Sequence, residues 1–252
     1  MKYVNLGCGG TYHSAWVNID LTQTGPEVIS HNLLKGVPLP DKDCDVVYHS
    51  HFIEHLRRPD ALFMMSECLR ILKPGGILRI AIPDLEQISR LYLQKLQDAL
   101  DGKPNGAYDY EWMMLEMYDQ TVREYPSGEM GEYLKQDPFP NEEFVVERIG
   151  AFGRDLIKMH RGLPKFQLDF SGMEDDQIEL AIGRFRRAGE IHQWMYDRFS
   201  LAQLMLSVGF INPKTQSANT SQIEDWSTFN LDTLPDGAIR KPDSLFMEAI
   251  AP

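Results

Sequence analysis

The fold follows from two neighbouring segments, Tyr3-Val4-Asn5-Leu6-Gly7-Cys8-Gly9-Gly10 and Val17-Asn18-Ile19-Asp20-Leu21. This pattern predicts a short buried strand, a glycine-rich turn, a brief crossover and a second strand that ends in a carboxylate. Glycine after a strand permits a positive φ, and without a Cβ it lets a ligand approach the backbone. An aspartate that closes the next strand can accept hydrogen bonds from both hydroxyls of a ribose.

Two further segments follow in compatible order. They read Asp45-Val46-Val47-Tyr48-His49-Ser50-His51-Phe52-Ile53-Glu54-His55-Leu56 and Leu69-Arg70-Ile71-Leu72-Lys73-Pro74-Gly75-Gly76. Together with the opening segments they resemble the class I S-adenosyl-L-methionine (SAM)-dependent methyltransferases, and their methyltransferase type 11-like branch in particular. A nicotinamide-binding fold is the alternative, but its fingerprint needs a third glycine at position 12, where Tyr12 stands.

The resemblance implies a Rossmann-like α/β fold with a mostly parallel seven-stranded sheet and SAM as the cofactor. Strand–helix alternation along the chain also predicts a mostly parallel sheet. Only the ten residues 7–16 separate the first two strands, whereas a parallel crossover normally takes a dozen or more. We therefore expect the first helix to be reduced to a turn or lost. The acidic residue that often opens the family motif is replaced by Asn5.

The remaining elements follow from apolar periodicity and from the residues that start and stop helices. We predict a third strand and turn at 28–33, and strands at 45–49, 77–82, 211–217 and 244–250, the last antiparallel by resemblance. Helices are predicted at 59–72, 87–97, 144–159, 175–187 and from 200 to 206, the last with Ser200 as N-cap. The segment 218–243 is polar and loop-like, with Trp226 and Phe229 as candidate anchors.

The domain organisation is predicted to be one methyltransferase domain over 1–252, with a helical insertion or lid at 98–190. Methionine and aromatic residues are dense in that insertion, as in Tyr108-Asp109-Tyr110-Glu111-Trp112-Met113-Met114. Such a stripe fits either core packing or the wall of an acceptor pocket, and apolar periodicity more often reports burial.

The cofactor site is predicted at the carboxyl edge of the sheet, where open α/β sheets bind ligands. The resemblance assigns it Leu6, Gly7, Cys8, Gly9, Asp20, Leu21, Asn32, Leu33, Ser50 and His51. Asn32 matches the polar position that contacts the adenine amino group, for which its side-chain carbonyl is a suitable acceptor. The alternative for Asn32 is an ordinary turn residue.

Methyl transfer from a sulfonium is an in-line displacement, so the protein mainly aligns the donor with the acceptor. A hydroxyl or ammonium acceptor must also lose a proton, and histidine is best suited to take it near neutral pH. His192 is the first candidate, because its polar, aromatic-flanked segment should close over the sheet edge. His51 and Asp84 are the next candidates, and a hydrogen-bonded structural histidine is the alternative for His192.

One motif suggests different chemistry. His51-Phe52-Ile53-Glu54-His55 fits the H-x-x-E-H pattern of inverted zinc peptidases, in which both histidines share a helix face. His51 instead falls at the end of a strand, so we predict no metal site. In the preferred interpretation, Glu54 and His55 orient the loop.

The amino-acid composition limits the classes of molecule that this chain is expected to bind. Lys+Arg 25 against Asp+Glu 37 gives a net charge of −12, which opposes nucleic-acid phosphates, and Arg184-Phe185-Arg186-Arg187 reads as a solvated helix face or an anion clamp. The three cysteines form no C-x-x-C pair, and no apolar run reaches the length of a membrane span.

We predict a soluble cytoplasmic enzyme that methylates a small-molecule or glycan-type acceptor on oxygen or nitrogen. A catalytically silent SAM-fold module is the alternative, and the acceptor atom and oligomeric state are left open.

Overall fold

The computed structural model describes residues 1–166 and 169–252. These residues form two compact units. The first unit comprises Met1–Asp84, Trp194–Arg240 and Ser244–Pro252, and the second comprises Leu85–Gln193 and Lys241–Asp243. The predicted insertion at 98–190 falls within the residue range of the second unit.

The described residues of the first unit contain one seven-stranded sheet of order β3-β2-β1-β4-β5-β7-β6. Its strands are β1 Tyr3–Leu6, β2 Val17–Asp20, β3 Val28–Ser30, β4 Cys44–Ser50, β5 Leu72–Pro83, β6 Ile211–Gln216 and β7 Ser244–Ile250. The β1 to β5 pairings are parallel, and β7 runs antiparallel to both of its neighbours. The predicted fold class and the antiparallel last strand are confirmed.

Two helices of this unit, α1 Arg58–Ile71 and α8 Arg198–Ser207, pack their apolar side chains against one face of the sheet. Met64 of α1 and Met205 of α8 are fully buried in the same core as Val47 of β4. Burial of such side chains contributes roughly 1.5–3 kcal/mol each, and this holds the helices in place.

The first crossover contains no helix, as the sequence predicts. Side-chain amides take over polar contacts that a helix would have satisfied internally. Asn5 Nδ2 donates to the Thr11 carbonyl at 3.1 Å, and Asn18 Nδ2 donates to the carbonyls of His13 and Trp16, both at 3.0 Å. The Asn5 that replaces the usual acidic residue therefore holds the crossover against β1.

An aromatic cluster covers the second face of the sheet. Trp16 stacks on Tyr3 at 5.0 Å and meets Tyr48, Trp226 and Phe229 edge-on. Trp226 is buried on a short 3-10 helix that ends at Phe229. The crossover and the 218–232 loop thus supply the apolar cover that a helix usually provides, and the predicted anchor role of Trp226 and Phe229 is confirmed.

A buried ionic network ties this loop to β5 and β7. Arg79 is fully buried, and its guanidinium lies 2.7 Å from both the Asp232 and the Glu248 carboxylates. It also donates to the Ser217 carbonyl at 2.9 Å, and its Cζ lies 4.4 Å from the Trp226 ring centroid. Two carboxylates, a carbonyl and the face of an aromatic ring therefore compensate the buried positive charge.

The second unit is helical in its described residues. Its helices are α2 Leu85–Leu100, α3 Gly106–Met114, α4 Gln120–Val122, α5 Gly128–Tyr133, α6 Glu142–His160 and α7 Asp175–Phe185, with a π-helical turn at Leu115–Asp119. Trp112 and Met113 are fully buried, which favours core packing for this part of the methionine and aromatic stripe. The α6 helix is kinked at Gly150, whose φ of 63° is outside the helical region.

The predicted start of α8 is wrong. Ser200 is not its N-cap, because Asp197 holds that position and accepts from the backbone N–H groups of Phe199 and Ser200. Ser200 is the third residue of the helix and completes a capping box, because its Oγ accepts a hydrogen bond from the Asp197 N–H.

The start of β5 also differs from the prediction. Strand β5 begins at Leu72 rather than Ile77, because Leu72 pairs with Cys44 before a register shift. The pairing with a neighbouring strand sets this boundary, and the local sequence pattern does not contain that information. The strand and turn predicted at 28–33 are present, because β3 ends at Ser30 and a 3-10 turn begins at Leu33.

Candidate active site

The glycine-rich turn after β1 leaves room for a ligand. Gly7 has a φ of 63°, and a Cβ there would stand 2.6 Å from the Phe52 ring, so a side chain does not fit. Gly9 has a φ of 52°, and among the described residues other than Gly9 and its two chain neighbours, no heavy atom lies within 4 Å of the position of its missing Cβ. The turn therefore exposes backbone to open space at Gly9.

Asp20 ends β2 and connects this strand to the turn. Its Oδ2 accepts from the Gly9 N–H at 2.9 Å, and its Oδ1 accepts from the Thr22 N–H at 3.1 Å. Each carboxylate oxygen can accept a second hydrogen bond, so two hydroxyl donors can still be bound. Leu21, the next residue, is exposed.

Asn32 lies beyond β3, where the resemblance places an adenine contact. Its Oδ1 accepts from the Leu34 N–H at 3.0 Å and caps the 3-10 turn that follows. This is the role of an ordinary turn residue, yet the second lone pair of Oδ1 is left for a ligand. Leu33, the next residue, is buried.

The remaining predicted cofactor residues lie on β1, on its turn and on β4. Leu6 is buried, and Ser50 is half-buried at the last position of β4. Burial raises the pKa of the Cys8 thiol to about 11, so Cys8 is a protonated, small apolar group near neutral pH.

His51 follows β4 with a φ of 49°, a conformation that costs energy for a residue with a Cβ. Its backbone N–H donates to the Ala81 carbonyl at 2.8 Å. Its Nε2 lies 2.9 Å from Ser244 Oγ, and its Nδ1 lies 3.3 Å from Glu54 Oε1. The imidazole is thus held between a hydroxyl and a buried carboxylate.

The other two catalytic candidates are in different units. Asp84 follows β5 in the first unit and forms an isolated parallel bridge with Tyr196. His192 belongs to the second unit, where its backbone N–H donates to the Gln120 carbonyl at 2.9 Å and its side chain is buried. Its catalytic role stays a prediction.

The H-x-x-E-H residues have the local structure that the sequence predicts. His51 comes directly after β4, and His55 ends the three-residue 3-10 helix Ile53–His55. The zinc peptidase motif requires both histidines on one face of an α-helix. His51 and His55 do not have this arrangement.

Sequence reasoning missed two residues beside this site. Ser244 lies 193 positions from His51, and no local pattern signals their contact. His49 is fully buried on β4, and neither ring nitrogen has a hydrogen-bond partner among the described residues. Burial lowers the pKa of His49 to about 4, so its imidazole is neutral at pH 7.

Comparison with known proteins identifies the class. Residues 4–80 match the family described as "Methyltransferase domain". A probable S-adenosylmethionine-dependent methyltransferase of Mycolicibacterium smegmatis is 43% identical over 56 residues, which are 22% of this chain and 21% of that protein. A probable methyltransferase of Aspergillus luteorubrus is 42% identical over 48 residues, which are 19% of this chain and 17% of that protein. The chain thus aligns with about a fifth of the length of these relatives.

The similarity of this chain to solved structures is weaker. A SAM-dependent methyltransferase from Archaeoglobus fulgidus aligns with a TM-score of 0.41 at 12% identity, over 99% of this chain and 85% of that one.

Residues 4–80 are therefore a class I SAM-dependent methyltransferase domain of the type 11-like kind, as the sequence predicts. SAM is the cofactor of that class of enzyme. No helix among the described residues is long and apolar enough to cross a membrane.

Proposed function

We propose that this chain is a SAM-dependent methyltransferase that acts on a hydroxyl or amine of a small-molecule or glycan-type acceptor. The observation that carries the proposal is the joint placement of the open Gly9 turn and the Asp20 carboxylate at the carboxyl ends of β1 and β2. The net charge of −12 favours such acceptors over nucleic acid.

Gly7 and Gly9 would let SAM approach the backbone, and Asp20 would accept from its ribose hydroxyls. When bound, SAM supplies an electrophilic methyl group. The chain's own contribution is to orient the acceptor and remove its proton. His51 fits the second task, because its φ is strained, its Nε2 lies 2.9 Å from Ser244 Oγ and its Nδ1 faces the Glu54 carboxylate. Asp84 and His192 remain candidates.

Calorimetry with SAM and with its demethylated product tests the cofactor site. Asp20→Ala is expected to weaken binding about tenfold or more, because it removes two charge-assisted hydrogen bonds of ~1.5–3 kcal/mol each. Asp236→Ala changes a carboxylate in an exposed turn and serves as the matched control. Absence of SAM binding by the wild type, or an Asp20→Ala variant that binds equally well, contradicts the proposal.

An acceptor library then tests turnover by following release of demethylated cofactor. His51→Ala and His192→Ala are compared in melting temperature, SAM affinity and turnover. Loss of the proton acceptor is expected to lower turnover roughly 10²–10⁴-fold with little change in SAM affinity. A variant with full activity and a lower melting temperature identifies a structural histidine.

A catalytically silent SAM-binding module is the second candidate function. Intact Gly7, Gly9 and Asp20 are compatible with it, because they concern binding and not turnover. Tight SAM binding without cofactor turnover across the library would favour this candidate.

A further inference from the structure

The first residue of β7, Ser244, lies at the same edge of the sheet as the candidate proton acceptor His51. Ser244 pairs with Pro83, the last residue of β5, so the antiparallel strand begins where the parallel strands end. Its side chain is buried, and its Oγ lies 2.9 Å from His51 Nε2.

The Glu54 carboxylate lies beside the other ring nitrogen of His51. The Glu54 side chain is fully buried, and Oε1 lies 3.3 Å from His51 Nδ1. A carboxylate facing Nδ1 favours the tautomer in which Nδ1 carries the proton. The Nε2 lone pair then accepts the Ser244 hydroxyl proton, and the Ser244 oxygen keeps lone pairs for another donor.

We propose that Ser244 relays the acceptor proton to His51 and that Glu54 positions the His51 ring for this transfer. The proposal rests on the proposed methyltransferase function, and neither residue is part of the cofactor turn.

The proton balance is simple. The acceptor hydroxyl or ammonium gives its proton to Ser244 Oγ while Oγ gives its own proton to His51 Nε2, so Ser244 ends as a hydroxyl. The resulting imidazolium faces the Glu54 carboxylate, and it later loses the proton to water. Other titratable groups act on this pair. His51 interacts electrostatically with Asp232, Glu54 interacts electrostatically with His49 and Tyr196, and His55 Nε2 lies 4.0 Å from Glu54 Oε1.

Nitrogen-15 NMR of the full chain, labelled at histidine, tests the hydrogen bonds without an acceptor. The wild type should show His51 protonated at Nδ1, and Ser244→Ala should move the Nε2 signal, whereas Ser244→Thr should restore it. Ser66→Ala is the matched control, because that exposed hydroxyl donates to the Leu62 carbonyl of its own helix. A His51 ring protonated at Nε2 in the wild type overturns the relay.

Turnover gives the second readout, with the most active acceptor from the library as probe. Ser244→Ala should lower kcat about 10²-fold, the lower end for a positioned proton-transfer group, and Ser244→Thr should recover most of the rate. Glu54→Gln should also lower kcat with little change in SAM affinity, because His51 Nδ1 then no longer faces the carboxylate that orients the ring.

Melting temperatures show whether a variant with lower kcat is still folded. If Ser244→Ala unfolds, Ser244→Thr and Glu54→Gln test the relay instead. A wild type that turns over while Ser244→Ala is equally fast overturns the relay alone. A wild type that neither binds SAM nor turns over overturns the proposed function as well.

Discussion

His51 combines a strained backbone with a side chain that is held in place. Its φ of 49° disfavours any residue with a Cβ, whereas glycine adopts it without cost. The contacts to Ala81, Ser244 and Glu54 hold the residue in this conformation. Strain that persists at the edge of a sheet fits a functional position.

We therefore expect His51→Gly to be more stable than His51→Ala by about 1 kcal/mol, since both lose the imidazole and only alanine keeps the strain. Urea unfolding of the two variants measures the difference. Equal free energies of unfolding would show that the backbone at His51 is not strained.

The low pKa of the buried His49 predicts that the folded protein loses stability in acid. Its pKa is about 4 in the folded protein and 6.5 in the reference state, so the unfolded chain binds more protons between these values. Stability therefore falls as the pH is lowered from 6.5 towards 4, by up to about 3 kcal/mol.

His49→Leu should remove this part of the pH dependence, because leucine does not titrate. Free energies of unfolding at several pH values between 4 and 7 test it, with His160→Gln as the control for loss of a histidine outside the sheet. An unchanged slope in His49→Leu would contradict the assignment.

At the level of secondary-structure elements, the helix-free crossover depends on Trp16. Its ring packs against Tyr3, Tyr48, Trp226 and Phe229, and it is the buried aromatic anchor of residues 7–16. The crossover also positions the glycine-rich turn, so its packing affects the cofactor site.

Trp16→Ala should lower the free energy of unfolding by about 3–5 kcal/mol, the usual loss for a large buried aromatic side chain. Trp194→Ala is the matched control, because Trp194 is 43% exposed and should cost much less. Denaturant titration of both variants is the measurement, and similar losses would contradict the anchor role of Trp16.

Across the molecule, the Arg79 network connects parts of the chain that are far apart in sequence. Asp232 and Glu248 lie 153 and 169 positions from Arg79. Removing one member of a buried ion network leaves the others uncompensated, which is much more costly than breaking a surface pair.

Arg79→Met should therefore destabilise the first unit by about 3–5 kcal/mol. Arg57→Met is the matched control, because it breaks an exposed pair with Asp60 and should change the free energy of unfolding far less. Thermal or urea unfolding compares the two, and a near-neutral Arg79→Met would mean that the network contributes little to stability.

Local spacing and backbone preference were enough to predict most strands, the missing first helix, the glycine-rich turn and the position of Asp20 at the end of β2. The N-cap of α8 was missed although it is local, because Asp197 and Ser200 both suit the capping position. The contact of Ser244 with His51 and the ion pairs of Arg79 became visible only in three dimensions. Those contacts arise because β7 lies beside β5 and a loop covers the sheet, and no short stretch of residues encodes either arrangement.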